Sequence, residues 1–163
     1  MIQPTDVVID NLKFQISMLD VLEAIVLDKR VTELVLPVMS ALLQGKEGEV
    51  SPEARVNDPE SMARLMDGIL NALMKLDSSF MTELTQKLLR CVVTFIDGKG
   101  NVQLTERNDI NTVFAGKFLT LYKLLLKVME VNKFTPFALL ASGFVMPGTS
   151  TLQGGMESKP KMK

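Results

Sequence analysis

Three polar residues alternate with glycine in Asp97-Gly98-Lys99-Gly100-Asn101, and this is the stretch whose spacing comes nearest to a catalytic or ligand-binding motif. Read as a calcium loop, Asp97 would be the first ligand. The spacing then demands oxygen ligands at positions 99 and 101, glycine at 102 and glutamate at 108. Lys99, Val102 and Asn108 stand there instead, so the segment reads as a hairpin turn in which Gly, Asp and Asn tolerate left-handed backbone. No Gly-Lys-Ser/Thr or three-glycine phosphate fingerprint follows either. Cys91 is the single cysteine and histidine is absent. An internal disulfide and a cysteine zinc cluster are thereby excluded, and the commonest general base and transition-metal ligand are missing. The carboxylates have local explanations: Asp20 and Glu23 cap a helix, while Glu47 and Glu49 lie in a polar loop. No nucleophile, base and orienting group converge at any recognisable spacing, so the expectation is a protein that is not an enzyme and carries no cofactor or metal.

Composition narrows the remaining classes. The chain has 163 residues, a hydrophobic fraction of 47% and a formal net charge of −1, with a mean hydropathy of +0.21. That length supports one core without staples. The apolar excess implies a rich core or an apolar surface kept for a partner. No long basic run is present, which argues against nucleic acid as a partner, since that affinity rests on neutralising phosphates. The most apolar stretch is interrupted by Lys117, Lys123, Lys127 and Glu130, too often for a membrane span. The start, MIQPTDVVID, lacks a basic segment followed by an apolar run, so no secretory signal is read and a cytoplasmic location is expected.

The elements that must position any interaction surface follow from periodicity. Ile110, Phe114, Phe118, Leu121, Leu125 and Val128 form one apolar stripe, and Ala115, Leu119, Tyr122, Leu126 and Met129 a second beside it. This predicts one long central helix from Asp109 to Val131, roughly 35 Å long and apolar on most sides. Asn108 or Asp109 is its expected N-cap. A carboxylate introduced at Phe118 is accordingly expected to be severely destabilising. The pattern stops at Asn132, and Thr135-Pro136 reads as the start of a further short helix.

Ahead of that axis, Val7–Ile9 and Leu12–Ile16 flank Asp10-Asn11 as a small hairpin. Asp20 caps a helix through Lys29, and a second helical pattern from Thr32 to Leu43 is expected to kink or restart at Pro37 and to close at Gly45. Residues 45–58 read as a surface loop. Asp58-Pro59-Glu60 starts a helix that carries Met62, Leu65, Met66, Ile69, Leu70, Leu73 and Leu76 at helical spacing. Asp77-Ser78-Ser79 recaps a helix through Phe80, Leu84 and Leu88, with Cys91 as a small core residue. A second hairpin joins Val92–Ile96 to Val102–Leu104. Of the eleven methionines, Met62, Met66 and Met129 lie on core stripes, whereas Met146, Met156 and Met162 fall in a Gly/Pro/Ser-rich segment that predicts a flexible tail. The expected architecture is therefore mainly α, a single helical domain (residues 1–142) organised around one long central helix with two short β-hairpins, followed by a flexible C-terminal tail (143–163).

The order of these elements, with VIDNLKFQISMLDVLEAIVL at the start and VFAGKF, LLLKVMEVNKFTPF at the end, resembles the tail assembly chaperones of long-tailed bacteriophages from about Val7 to Leu140. The sharpest match is Phe114-Ala115-Gly116-Lys117 followed by Val131-Asn132-Lys133-Phe134 and Phe137. Asn11 and Lys117 depart from the Gly and Arg more usual in that pattern. The resemblance implies a non-enzymatic protein of the host cytoplasm during infection that binds tape-measure protein and tail tube protein before tail polymerisation and is absent from the mature virion. The alternative is a structural tail or tail-completion protein retained in the virion. From the residues themselves, the expected partner-binding set is Tyr122, Phe134, Phe137, Phe144 and Met146, because aromatics are in excess where the central helix meets the tail. The competing reading is that Phe134 and Phe137 fold back to cover the end of the helix bundle. A homo-oligomer is a further expectation, since Phe144, Val145 and Met146 are apolar enough to dock on a neighbouring copy.

Overall fold

The computed structural model describes residues 2–43 and 59–141. These form strands β1 (Thr5–Ile9) and β2 (Leu12–Ile16), helices α1 (Val21–Leu43), α2 (Pro59–Met74) and α3 (Ser78–Leu89), strands β3 (Val92–Ile96) and β4 (Gly100–Gln103), and helices α4 (Arg107–Phe114), α5 (Phe118–Val131) and α6 (Thr135–Ala141). The expected 45–58 loop, the close at Gly45 and the 143–163 tail lie outside the described residues.

Turn chemistry makes both hairpins. Asp10 and Asn11 both take positive φ, 47° and 67°, which matches a two-residue turn to the twist of the strands it joins. Gly98 and Gly100 supply positive φ in the second turn. The hairpins do not stand apart. Phe14 pairs with Thr94 and Ile16 with Val92, so the strands make one antiparallel sheet in the order β1-β2-β3-β4. Alternation puts Phe14, Ile16, Val92, Thr94 and Ile96 on the buried face and leaves Lys13, Gln15 and Phe95 on the other. Thr94, a polar residue on the buried face, is satisfied by donating its hydroxyl to the Lys13 carbonyl at 2.8 Å.

The expectation of a mainly α domain built around one long central helix is corrected at a second point. The predicted helix from Asp109 to Val131 is two helices, α4 and α5, separated at Ala115-Gly116-Lys117. Gly116 has φ +73°, a left-handed conformation that an α-helix cannot continue through, and the Lys117 N–H bonds to the Phe114 carbonyl to close the turn. The expected cap at Asn108 or Asp109 is also displaced. The helix begins after Glu106, and Asp109 is buried and paired with Lys99. The longest described helix is α1 at 23 residues, which runs across Pro37 as one element.

The helix starts read from sequence are present elsewhere. Asp20 accepts from the backbone N–H groups of Leu22 and Glu23, and Asp77 from those of Ser79 and Phe80. The core joins Leu27, Val31 and Val35 of α1 with Ile69 and Leu73 of α2, Leu84 and Leu88 of α3, and Leu124, Leu125, Val128 and Met129 of α5. Phe14 of the sheet stacks on Phe114 of α4, ring centroids 6.0 Å apart and 9° from parallel. Arg30 ties α1 to α3 by bonding Glu83 at 3.0 Å while lying 3.9 Å over the Phe80 ring.

Candidate functional site

Two of the chemistry-bearing residues, Lys99 and Cys91, are held by structural partners. Lys99 reaches across the second hairpin to Asp109, and that hydrogen bond raises the lysine pKa above its ordinary value. The lysine thus fixes the start of α4 to the β3–β4 turn. Cys91 sits just past α3 with its thiol donating to the Leu88 carbonyl, and burial pushes its pKa up to about 11. A thiol held that far from thiolate is a poor nucleophile and metal ligand at neutral pH. Among the described residues, no group of three or more His, Cys, Asp or Glu side chains is placed to hold a metal ion.

The aromatic set divides. Phe134 and Phe137 are 2% and 7% exposed and belong to the hydrophobic core. Tyr122 is half-buried on α5. Phe144 and Met146 lie outside the described residues, and of the three described members only Tyr122 is reached by solvent to any large extent. The burial of Phe134 has a local cause. Asn132 ends α5 and uses its whole amide: Oδ1 accepts from the Leu19 N–H at 2.7 Å, while Nδ2 donates to the Val128 carbonyl at 2.9 Å and to the Ser17 carbonyl at 3.4 Å. Lys133 then takes φ +55°, and the Phe134 N–H returns to the Met129 carbonyl at 3.0 Å. That reversal turns the Phe134 ring inward under the bundle end. Asp28 of α1 completes the junction by accepting both the backbone N–H and the hydroxyl of Thr135, at 2.7 and 2.6 Å. Asn132, Lys133, Phe134 and Thr135 are therefore the means by which α5 and α6 are joined to the start of α1.

Open apolar surface lies elsewhere. At the start of α5, Phe118 and Leu119 are 67% and 55% exposed, with Tyr122 one turn on along the same face. The neighbouring face is fixed to the first hairpin. Thr120 donates its hydroxyl to Asp10 at 2.8 Å, and Lys123 bonds the same carboxylate at 2.9 Å. The Lys123 hydrogen bond, and then that of Thr120, hold the Asp10 carboxyl below the usual range. With Thr120 and Lys123 tied inward to the hairpin tip, Phe118 and Leu119 are turned to solvent, which overturns the expectation that Phe118 is core.

The second open region is the outer face of α1. Val21, Leu22, Ile25 and Val26 are all exposed, Leu22 by 76%, with Met18 at its head. Positions 21, 22, 25 and 26 are neighbours on a helix surface, so they form one continuous patch. Periodicity does not single them out, because Ala24, Leu27, Asp28 and Val31 occupy the opposite face and the helix is apolar nearly all round. The usable signal is that excess itself: a helix apolar on both sides is either enclosed or has a face left for a partner.

No helix among the described residues is long and apolar enough to cross a membrane. Comparison with curated proteins and with solved structures found no match. A comparison with protein families did: the family described as "Phage tail assembly chaperone protein, TAC" matches residues 10–140, from the tip of the first hairpin through Asn132 and Phe134 to α6. That span takes in strands β2 to β4, the described helices from α1 to α6 up to Leu140, and the junction between α1, α5 and α6, and by it the chain belongs to the phage tail assembly chaperone family.

Proposed function

We propose that this chain binds tape-measure protein, and tail tube protein with it, in the host cytoplasm before the tail polymerises, and leaves before the virion is complete. Membership of the assembly chaperone family carries the general role. The specific partner rests on one observation, the apolar side chains Phe118 and Leu119 held at the surface beside Tyr122. A chaperone for an elongated, helix-rich partner must cover apolar helix faces until subunits replace it, and large rings give contact area for little conformational entropy. Tyr122 is the described member of the aromatic set placed to take part. Phe134 and Phe137, buried in the core, are not part of this surface, and Phe144 and Met146 extend the proposal to the residues after α6.

The test is co-expression with tape-measure protein followed by pull-down, with Phe118→Ala and Leu119→Ala variants alongside. Retention of the folded chain on tagged tape-measure protein, weakened about 10-fold or more by Phe118→Ala at unchanged melting temperature, is the expected result. No capture when both proteins are soluble would overturn it. Mass spectrometry of purified virions decides between a departing chaperone and a structural or tail-completion protein, since stoichiometric recovery of the chain from particles would establish the latter.

A further inference from the structure

We infer that the outer face of α1 is a self-association surface, on which two copies of this chain pack their α1 helices antiparallel about a two-fold axis near Val31. The apolar part of the face is Met18, Val21, Leu22, Ile25 and Val26, exposed by 42%, 69%, 76%, 59% and 52%. Such a patch is comparable with the largest on an ordinary monomer, about 300–600 Å². It spans only about two turns. Packed against its own copy and nothing else, it falls short of the roughly 800 Å² per partner that a stable pair buries.

The two turns that follow supply the rest and set the direction. Lys29 and Glu33 continue the same outward face, followed by Pro37, and both charges are exposed. Neither makes an ion pair with a described residue, although Arg30 next to Lys29 does. In a parallel pair, Lys29 would face Lys29 and Glu33 would face Glu33, and both contacts repel. In the antiparallel pair centred on Val31, each Lys29 faces the partner's Glu33, so two unlike contacts form at the middle. The same register lays Ile25 and Val26 against the turn containing Leu36 and Pro37 of the other copy. The overlap is then most of the helix, about 27 Å from Leu22 to Ser40, instead of two turns. Charge sign and contact length select the same register, and a two-fold interface requires that self-complementarity. The surface is distinct from Phe118 and Leu119, so the dimer stands or falls independently of tape-measure binding.

Sedimentation velocity and light scattering on the purified full chain test this. The expected mass is twice the 18.1 kDa of one chain, with dissociation on dilution. Leu22→Asp and Ile25→Asp are expected to give monomer at every concentration with the melting temperature of the monomeric fold retained, because both side chains are exposed in the single chain. Lys29→Glu is expected to weaken the dimer about 10-fold or more, and the double exchange Lys29→Glu/Glu33→Lys to restore it. A wild-type monomer at about 100 μM would overturn the inference, as would a dimer indifferent to Leu22→Asp and Ile25→Asp. Failure of the double exchange to restore association would overturn the antiparallel register.

Discussion

Helices α1 and α5 have nearly the same apolar character and opposite fates. Each carries more hydrophobic residues than one buried stripe can use. In α5 the excess is enclosed, because the helix lies among α3, α4, α6 and strand β1, and Leu124, Leu125, Leu126, Val128 and Met129 are all buried. Only its first turn, with Phe118 and Leu119, escapes. In α1 the main neighbours are α2 and α6, both on one side, so Leu27, Val31 and Val35 are buried while Leu22, Ile25 and Val26 face outward. The difference lies in how many elements surround each helix, a property of topology that hydropathy along the chain does not contain.

That contrast can be broken first where α5 meets α6. Phe134→Ala removes a ring that is 2% exposed and is expected to cost about 3 to 5 kcal/mol of unfolding free energy, measured by urea denaturation. Any loss of partner binding in this variant is expected to track the unfolded fraction. A near-normal midpoint would place Phe134 with the outward-facing residues.

The buried side of the comparison also has a pH signature. The Cys91 pKa is raised from 9.0 to about 11 in the folded chain by burial. The folded state therefore holds its thiol proton more tightly than the unfolded state. Its contribution is complete below pH 9 and is lost as pH rises from 9 through 11, amounting to about 2 to 3 kcal/mol once both states are deprotonated. The expected observation is a fall in wild-type stability across that window that is smaller in Cys91→Ala. Equal slopes for the two proteins would show that the thiolate finds compensation in the fold.

Asn132 couples the two helices, because its carbonyl oxygen accepts the Leu19 N–H just before α1. Asn132→Ala leaves that donor without its partner and is expected to cost about 1 to 2 kcal/mol, with faster amide exchange at Leu19. Asn132→Asp keeps an acceptor and should recover part of the loss. The smallest effect is expected at Phe118, where substitution by Asp should change stability by no more than about 0.5 kcal/mol. A large loss there would mean that the first turn of α5 is covered in solution.

How far each helix could be read in advance followed the range of the forces that shape it. The Asp10-Asn11 turn, the Asp20 and Asp77 caps, the helix start at Pro59 and the stop at Asn132 are local, since the residue that makes the feature sits within a few positions of it. The break at Gly116 was hidden by its own surroundings. Apolar spacing runs in phase from Ile110 to Val128, and one glycine in such a run is compatible with a helix until tertiary contacts select a positive φ. The union of two hairpins in one sheet depends on pairing between β2 and β3, which no short window contains. Family resemblance located the VNKF segment, but its task became visible only when Asn132 was found bonded to residues more than a hundred positions away.

The Ile16–Val92 pairing has a consequence in time as well as in space. Its partners are roughly 75 residues apart, so the closure entropy of a long loop must be met before their contact contributes anything. On a ribosome adding about 5 to 20 residues per second, β2 waits on the order of 4 to 15 s before β3 has been synthesised. Through that interval the β2 edge has no strand to accept its hydrogen bonds, and the outward face of α1 is already present. A nascent chain of this design is exposed to edge-to-edge association before its own sheet can close, and folding is set by the arrival of β3 more than by the speed with which any helix forms.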